Sequence, residues 1–214
     1  MSSNTPSKAE FYQALNGRHG EALQQRFCSA RVAVCGLGGL GSNIAISLAR
    51  AGIGQIHLID FDKVDLTNLH RQQYAVRQLG LYKTDALKET LAAISPYTSL
   101  RADTVRVTED NLKELLAADS IICEAFDCPQ AKAMLVNGVL EAFPDKYIVA
   151  GSGMAGLGSA NRIRTRRITS RFYLCGDESS DVSESGALFS SRVMLCAAHQ
   201  AHTVLRILAG EPDV

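Results

Sequence analysis

The chain has 214 residues, 46% of them hydrophobic and 21% charged, and its 22 basic and 22 acidic side chains balance to a formal net charge of zero. That length suits one well-packed domain better than two substantial ones, the composition is that of an ordinary globular protein, and the neutral balance argues against nucleic acid as the main partner. No apolar run approaches the roughly 20 residues that cross a bilayer, and MSSNTPSKAEFYQ at the start lacks the apolar centre of a signal peptide, so a cytoplasmic protein without a membrane partner is expected.

In chain order, FYQALNGRHGEALQQRFCSA predicts a helical extension over about 7–28, with a break between Gly17 and Gly20. Strand-like runs follow at RVAVC, QIHLID, LRADTVRV, SIICEA and YIVAG, and helical patterns lie between them at SNIAISLARAG, KTDALKETLAAI, TEDNLKELLAA and AKAMLVNGVLEAF. Thr108 stands before EDN as a candidate cap for the third of these helices. Such alternation implies an α/β, Rossmann-like, doubly wound and mostly parallel sheet with helices on both faces. ANRIRTRRI and RFYLCG then read as late antiparallel strands, and the polar, glycine-bounded GDESSDVSESG reads as a mobile loop. A final helix, RVMLCAAHQAHTVLRILAG, carries Val193, Ala197, Ala201, Val204 and Leu208 on one stripe and stops at Gly210. The whole of 1–214 is therefore read as a single domain.

The first strand feeds GLGGLGSNIA, in which Gly36, Gly38 and Gly41 satisfy G-x-G-x-x-G. A strand, a glycine turn and a helix start put free N–H groups and the positive helix end where a phosphate can dock. Asp60 closes the next strand where a ribose partner is expected, so the turn alone would suggest NAD, although no hydride-transfer residues can be identified. The stretch DFDKVDLTNLHRQQY decides otherwise, because a second carboxylate, Asp62, is followed by Asn68, Arg71 and Gln72, with Lys83 at the head of the next helix. Two acids suit ribose hydroxyls, and an arginine with a lysine beside a phosphate cradle suits a triphosphate, which favours ATP. Asp127, just past the strand SIICEA at the carboxyl edge of the sheet, suits Mg²⁺, an ion that takes one or two carboxylates and leaves its other positions to phosphate and water.

At these residues the chain resembles the ThiF group of the ubiquitin-activating-like adenylyltransferases. The likeness runs from GRHGEALQQRF through GLGGLGSNIA, DFDKVDLTNLHRQ, EAFD and GSGMAGLGSAN to AAHQAHTVLRILAG. It implies that Asp60 binds the ATP ribose, that Gly38, Gly39 and Gly41 lie against the nucleotide, and that Asn68, Arg71, Gln72 and Lys83 line the phosphates. By the same resemblance Asp127 holds the magnesium, and Arg18 reaches into the site of a neighbouring subunit of a homodimer. The implied reaction is attack of a ThiS-like sulfur carrier's terminal glycine carboxylate, at a Gly-Gly end, on the α-phosphate of ATP in thiamine biosynthesis, with GSGMAGLGSA flanking the tail. The alternatives are a ThiF-like tRNA-modification dehydratase and a non-catalytic nucleotide-binding dimerisation module.

The six cysteines, at 28, 35, 123, 128, 175 and 196, include no C-x-x-C pair, so the structural zinc of many relatives is not expected and the late strands should hold by packing alone. Cys175 borders the expected mobile loop and reads either as an exposed thiol or as the cysteine that some relatives join to the carrier; the other cysteines read as core. Cys196, His199 and His202 do not converge on a metal, since the outer two lie about 240° apart around a helix. The arginines of RIRTRR form a solvated face or meet an acidic carrier.

Overall fold

In the computed structural model, residues 5–213 are described. The strands are β1 (Arg31–Cys35), β2 (Gln55–Ile59), β3 (Ser99–Asp103), β4 (Ile121–Glu124), β5 (Tyr147–Gly151), β6 (Arg164–Arg167) and β7 (Phe172–Gly176), in one sheet ordered β3-β2-β1-β4-β5-β7-β6. All pairs are parallel except β6 with β7, which gives the expected doubly wound, Rossmann-like sheet with its late antiparallel pair. Strand order reverses between β1 and β4, opening a crevice at their carboxyl ends.

The strands are continuous apolar runs because both faces are covered. Val32, Val34, Ile56, Leu58, Cys123 and Val149 face one core, while Ala33, Cys35, Ile59, Ile122 and Ile148 face the other. The first is roofed by α2 (Glu21–Ser29), α3 (Gly39–Arg50), α4 (Lys83–Ile94) and α8 (Ser190–Ala209); the second by α5 (Leu112–Leu115) and α6 (Pro129–Ala142), and α7 (Val182–Ser185) is a single turn after β7. Ile44 and Leu48 of α3 are fully buried, each contributing on the order of 1.5–3 kcal/mol. On α8 the expected stripe is buried at Val193, Ala197, Ala201 and Val204, Leu208 is half-buried, and Gly210 ends the helix at φ +81°. One polar cluster interrupts the second core: His57 is fully buried in β2, with Nδ1 2.8 Å from Asp119 and Nε2 2.8 Å from Asp103.

The N-terminal helical region breaks within the expected stretch, at Gly20, between α1 (Lys8–His19) and α2, where φ is +81°. Two local expectations change. The strand expected through LRADTVRV stops at Asp103. Thr108 caps no helix: Asn111 Oδ1 accepts from Thr108 N–H while its Nδ2 donates to the Arg106 carbonyl, so this stretch turns and only Leu112–Leu115 is helical. Among the described residues, no helix is long and apolar enough to cross a membrane.

Candidate active site

The crevice at the strand reversal is a cavity of about 520 Å³, and the glycine turn forms its floor. Gly36 stands at φ +91°, where a Cβ would meet the Ala125 carbonyl oxygen at 2.7 Å, so only glycine lets β1 and β4 close here. Asp60 Oδ2 accepts from Leu37 N–H at 2.6 Å, and the Tyr74 hydroxyl donates to the Leu37 carbonyl at 2.7 Å. Together they fix the turn ahead of α3, whose N-terminal N–H groups open toward the cavity.

The crossover from β2 to α4 folds back over this turn. Its base is closed by Val64 N–H to the Leu81 carbonyl and Lys83 N–H to the Asp62 carbonyl, both at 2.9 Å. Its middle is pinned to α3: Asn43 Nδ2 donates to the Gly39 and Arg71 carbonyls, and Gln73 Nε2 donates to Asn43 Oδ1 at 2.8 Å. Arg71, Gln72 and Asn68 are thereby held at the glycine turn, and all three line the cavity. Buried Lys83 donates to Asp62 Oδ2 at 2.8 Å and lies 3.9 Å from Asp60 Oδ2.

Two more walls complete the cavity. At the β2 end the Arg106 guanidinium lies over the Phe61 ring, 4.0 Å from its centroid. Beyond β4, exposed Asp127 faces the cavity near Arg71, and Lys132 donates to both oxygens of buried Glu124, at 2.9 and 2.7 Å, and to the Gly151 carbonyl at 2.9 Å. Glu124 also accepts from Phe126 N–H at 2.7 Å, so this ion pair shapes the turn that carries Asp127. Gln200 of α8 donates beneath it to the Glu124 and Val149 carbonyls. The far wall is Gly151–Ala155 and 178–182.

Burial drives the electrostatics. It pushes the Asp60 carboxyl up, against the pull of Lys83 and the N–H groups of Asp62 and Leu37. It pushes Glu124 up against Lys132, and Arg71 down against the nearby Asp127. Gln72 Oε1 is buried with no hydrogen-bond partner, beside Gly38, where a Cβ would stand 3.7 Å from Gln72 Nε2.

Of the residues singled out from sequence, Gly38, Gly39, Asp60, Asp62, Asn68, Arg71, Gln72, Lys83 and Asp127 line one cavity. Gly41 does not: it is buried under the turn, where a Cβ would overlap the Gly36 carbonyl, and its role is packing. Arg18 is also elsewhere, exposed on α1, a helix that packs at the opposite edge of the sheet through Phe11 on Tyr97 and Leu15 by Gly52.

Cys175 is not an exposed thiol. It is buried in β7 between Thr165 and Thr203, and burial, which those hydroxyls partly oppose, pushes its thiol up to about 11. Cys128, expected in the core, is exposed at the head of α6 and lines the cavity, and Cys28 is only half-buried. Nor do the late strands hold by packing alone, since Arg166 pairs with Glu178 and Arg192 with Asp177. Cys196, His199 and His202 part as expected, to the Cys175 carbonyl, Thr165 and solvent.

Sequence reasoning missed Glu124, Lys132, Phe61 and Arg106. Glu124 and Lys132 carry a signal, an acid closing an apolar strand and a lysine in the first turn of the next helix; the Phe61–Arg106 stack carries none.

The chain is 35% identical over 136 residues to the adenylyltransferase and sulfurtransferase UBA4 of Eremothecium gossypii, covering 63% of this chain and 30% of that protein. It is 28% identical over 197 residues to the molybdopterin-synthase adenylyltransferase of Salmonella typhimurium, covering 88% of this chain and 78% of that one. It spans less than half the length of the first of its curated relatives. Its fold matches the crystal structure of the Escherichia coli tRNA N6-threonylcarbamoyladenosine dehydratase in complex with AMP, with a TM-score of 0.85, 24% identity, and 98% and 99% of the two chains covered. Residues 12–214 match the ThiF family, and the chain belongs to it.

Proposed function

We propose that this chain is an ATP- and magnesium-dependent adenylyltransferase that activates the C-terminal glycine carboxylate of a ThiS-like sulfur carrier protein ending in Gly-Gly, in thiamine biosynthesis. The observation that carries the reading is the convergence of Arg71, Lys83 and Asp127 on one glycine-turn cavity. The cavity runs from the end of β2 to the end of β7, four strand steps of about 4.8 Å each, which leaves room for a nucleotide at one end and an extended tail at the other.

In this reading the base stacks at Phe61 and Arg106, and Asp60 with Asp62 meets the ribose. Arg71, Lys83, Asn68 and Gln72 hold the phosphates over the N-terminus of α3. The tail lies along Gly151–Ala155, which lines that end of the cavity. Attack of the carboxylate oxygen on the α-phosphorus forms the acyl-adenylate and expels pyrophosphate, and the enzyme's task is alignment and charge neutralisation. Exposed Asp127, with no side-chain partner among the described residues, suits a phosphate-held Mg²⁺, and among those residues there is no all-protein metal cluster. When bound, Mg²⁺ supplies charge neutralisation at the phosphates. Arg18, across the sheet from its own cavity, is assigned to the cavity of a second copy in a homodimer.

The test is pyrophosphate exchange into ATP with Mg²⁺, with and without a purified carrier ending in Gly-Gly. Exchange that requires the terminal carboxylate is expected; none with any carrier, despite ATP binding, defeats the carrier reading. The same assay with tRNA addresses the second reading, a tRNA-modification dehydratase. That reading is favoured by the near-complete overlap with the Escherichia coli fold and by five arginines within 162–171.

A further inference from the structure

Arg192 occupies an unfavourable place. It sits in the first turn of α8, near the positive end of a 20-residue helix, and is 4% exposed, so burial and helix dipole both oppose its charge. Its guanidinium donates to Asp177 Oδ2 and to the carbonyls of Gly158 and Ser159. Asp177, itself buried, accepts through Oδ1 from the N–H groups of Ser179 and Ser180 and from the Ser180 hydroxyl at 2.9 Å. The Ser180 hydroxyl oxygen in turn accepts from Ala155 N–H at 3.0 Å.

These bonds tie together two stretches distant in sequence. The stretch after β5 and the stretch after β7 are also joined by Asp177 N–H to the Gly153 carbonyl and Glu178 N–H to the Ser152 carbonyl. Gly153 stands at φ +78°, and a Cβ there would run into Asp177. The two stretches form the cavity wall farthest from the glycine turn. Arg192 does not line the cavity; it holds the wall from behind.

We propose that the buried Asp177–Arg192 pair is a positioning latch for the acyl-substrate end of the cavity, fixing the wall along which an extended, small-residue carboxyl tail binds, and that it leaves the nucleotide end untouched. This inference rests on the adenylation reading for its substrate, and its geometry stands apart from it. Burial alone would raise the Asp177 carboxyl, but the Ser180 and Ser179 N–H groups, the Ser180 hydroxyl and Arg192 outweigh it and hold it at about 2, so the latch stays charged near neutrality.

The experiment compares the full chain with Arg192→Met, Arg192→Lys and Ser180→Ala. The measurements are affinity for a fluorescent ATP analogue, amide hydrogen exchange, and KM for the carrier in pyrophosphate exchange. Arg192→Met is expected to speed exchange at 152–159 and 177–182 at least tenfold and to raise the carrier KM about tenfold, with nucleotide affinity within twofold of the parent. Arg192→Lys should recover part of both losses. If Arg192→Met does not fold, Ser180→Ala carries the test, since it removes only the tie to Ala155 and one bond to Asp177. Unchanged wall amides overturn the proposal, as does a nucleotide affinity that falls in step with the carrier KM. If the parent shows no carrier-dependent exchange, the adenylation reading fails, and the wall amides and nucleotide affinity still decide the latch.

Discussion

The two ends of the cavity are built from different kinds of sequence. The glycine-turn end comes almost entirely from one stretch, 36–83, in which turn, acids, crossover and lysine follow each other along the chain and are pinned locally by Asp60, Asn43 and Tyr74. The opposite end is assembled from separate stretches after β5 and β7, held by a helix that starts later still. A cradle made from one stretch is fixed by local bonds, whereas a wall made from separate stretches depends on tertiary ion pairs.

That contrast can be broken most severely at the boundary. Asp127→Ala should lower carrier-dependent pyrophosphate exchange by about 10³-fold while ATP binding stays largely intact; near-parent turnover removes Asp127 from the mechanism. A smaller effect sharpens the assignment of Arg18. If Arg18→Ala and Asp127→Ala are each inactive, equal mixtures that exchange subunits should recover about a quarter of parental activity, because half the dimers are mixed and each holds one intact site. No recovery in a mixture shown to contain mixed dimers places Arg18 outside the partner's site.

The smallest effect belongs to the far wall alone. Asp177 titrates at about 2 in the folded chain, below the roughly 3.9 of an unfolded aspartate, so the native state binds fewer protons there. Its contribution to stability is complete above about pH 5 and is lost as the pH falls toward 2. Urea-unfolding free energies measured between pH 5 and pH 2 should therefore decline less steeply in Asp177→Asn than in the parent, and equal slopes would contradict the charged latch.

The sheet, its reversal point and the convergence of the 36–83 residues on one cavity are legible in the sequence because periodicity and short motifs record local relations. Gly41 shows the limit of a motif: the pattern includes it, but the carbonyl of Gly36 above it makes it a packing residue. Thr108 was misread because a neighbouring side chain, Asn111, outcompeted it for the turn. Cys175 was misplaced because adjacency to a polar loop says nothing about which way a strand residue faces. Arg106 on Phe61 and Arg192 on Asp177 join residues 45 and 15 positions apart, and no spacing rule links such pairs.

The sheet is open, and its outermost strands share a property that bears on behaviour at high concentration. β6 is four residues long with Arg164, Arg166 and Arg167 exposed, and the opposite border, β3, is five residues long and carries Arg101 and Asp103. Short, charged borders are poor templates for another molecule's strand, because each added strand would bury or oppose a charge. The polar groups that ornament these borders thus guard the chain against edge-to-edge polymerisation, and replacing the β6 arginines by valine would turn that border into a nucleus for aggregation.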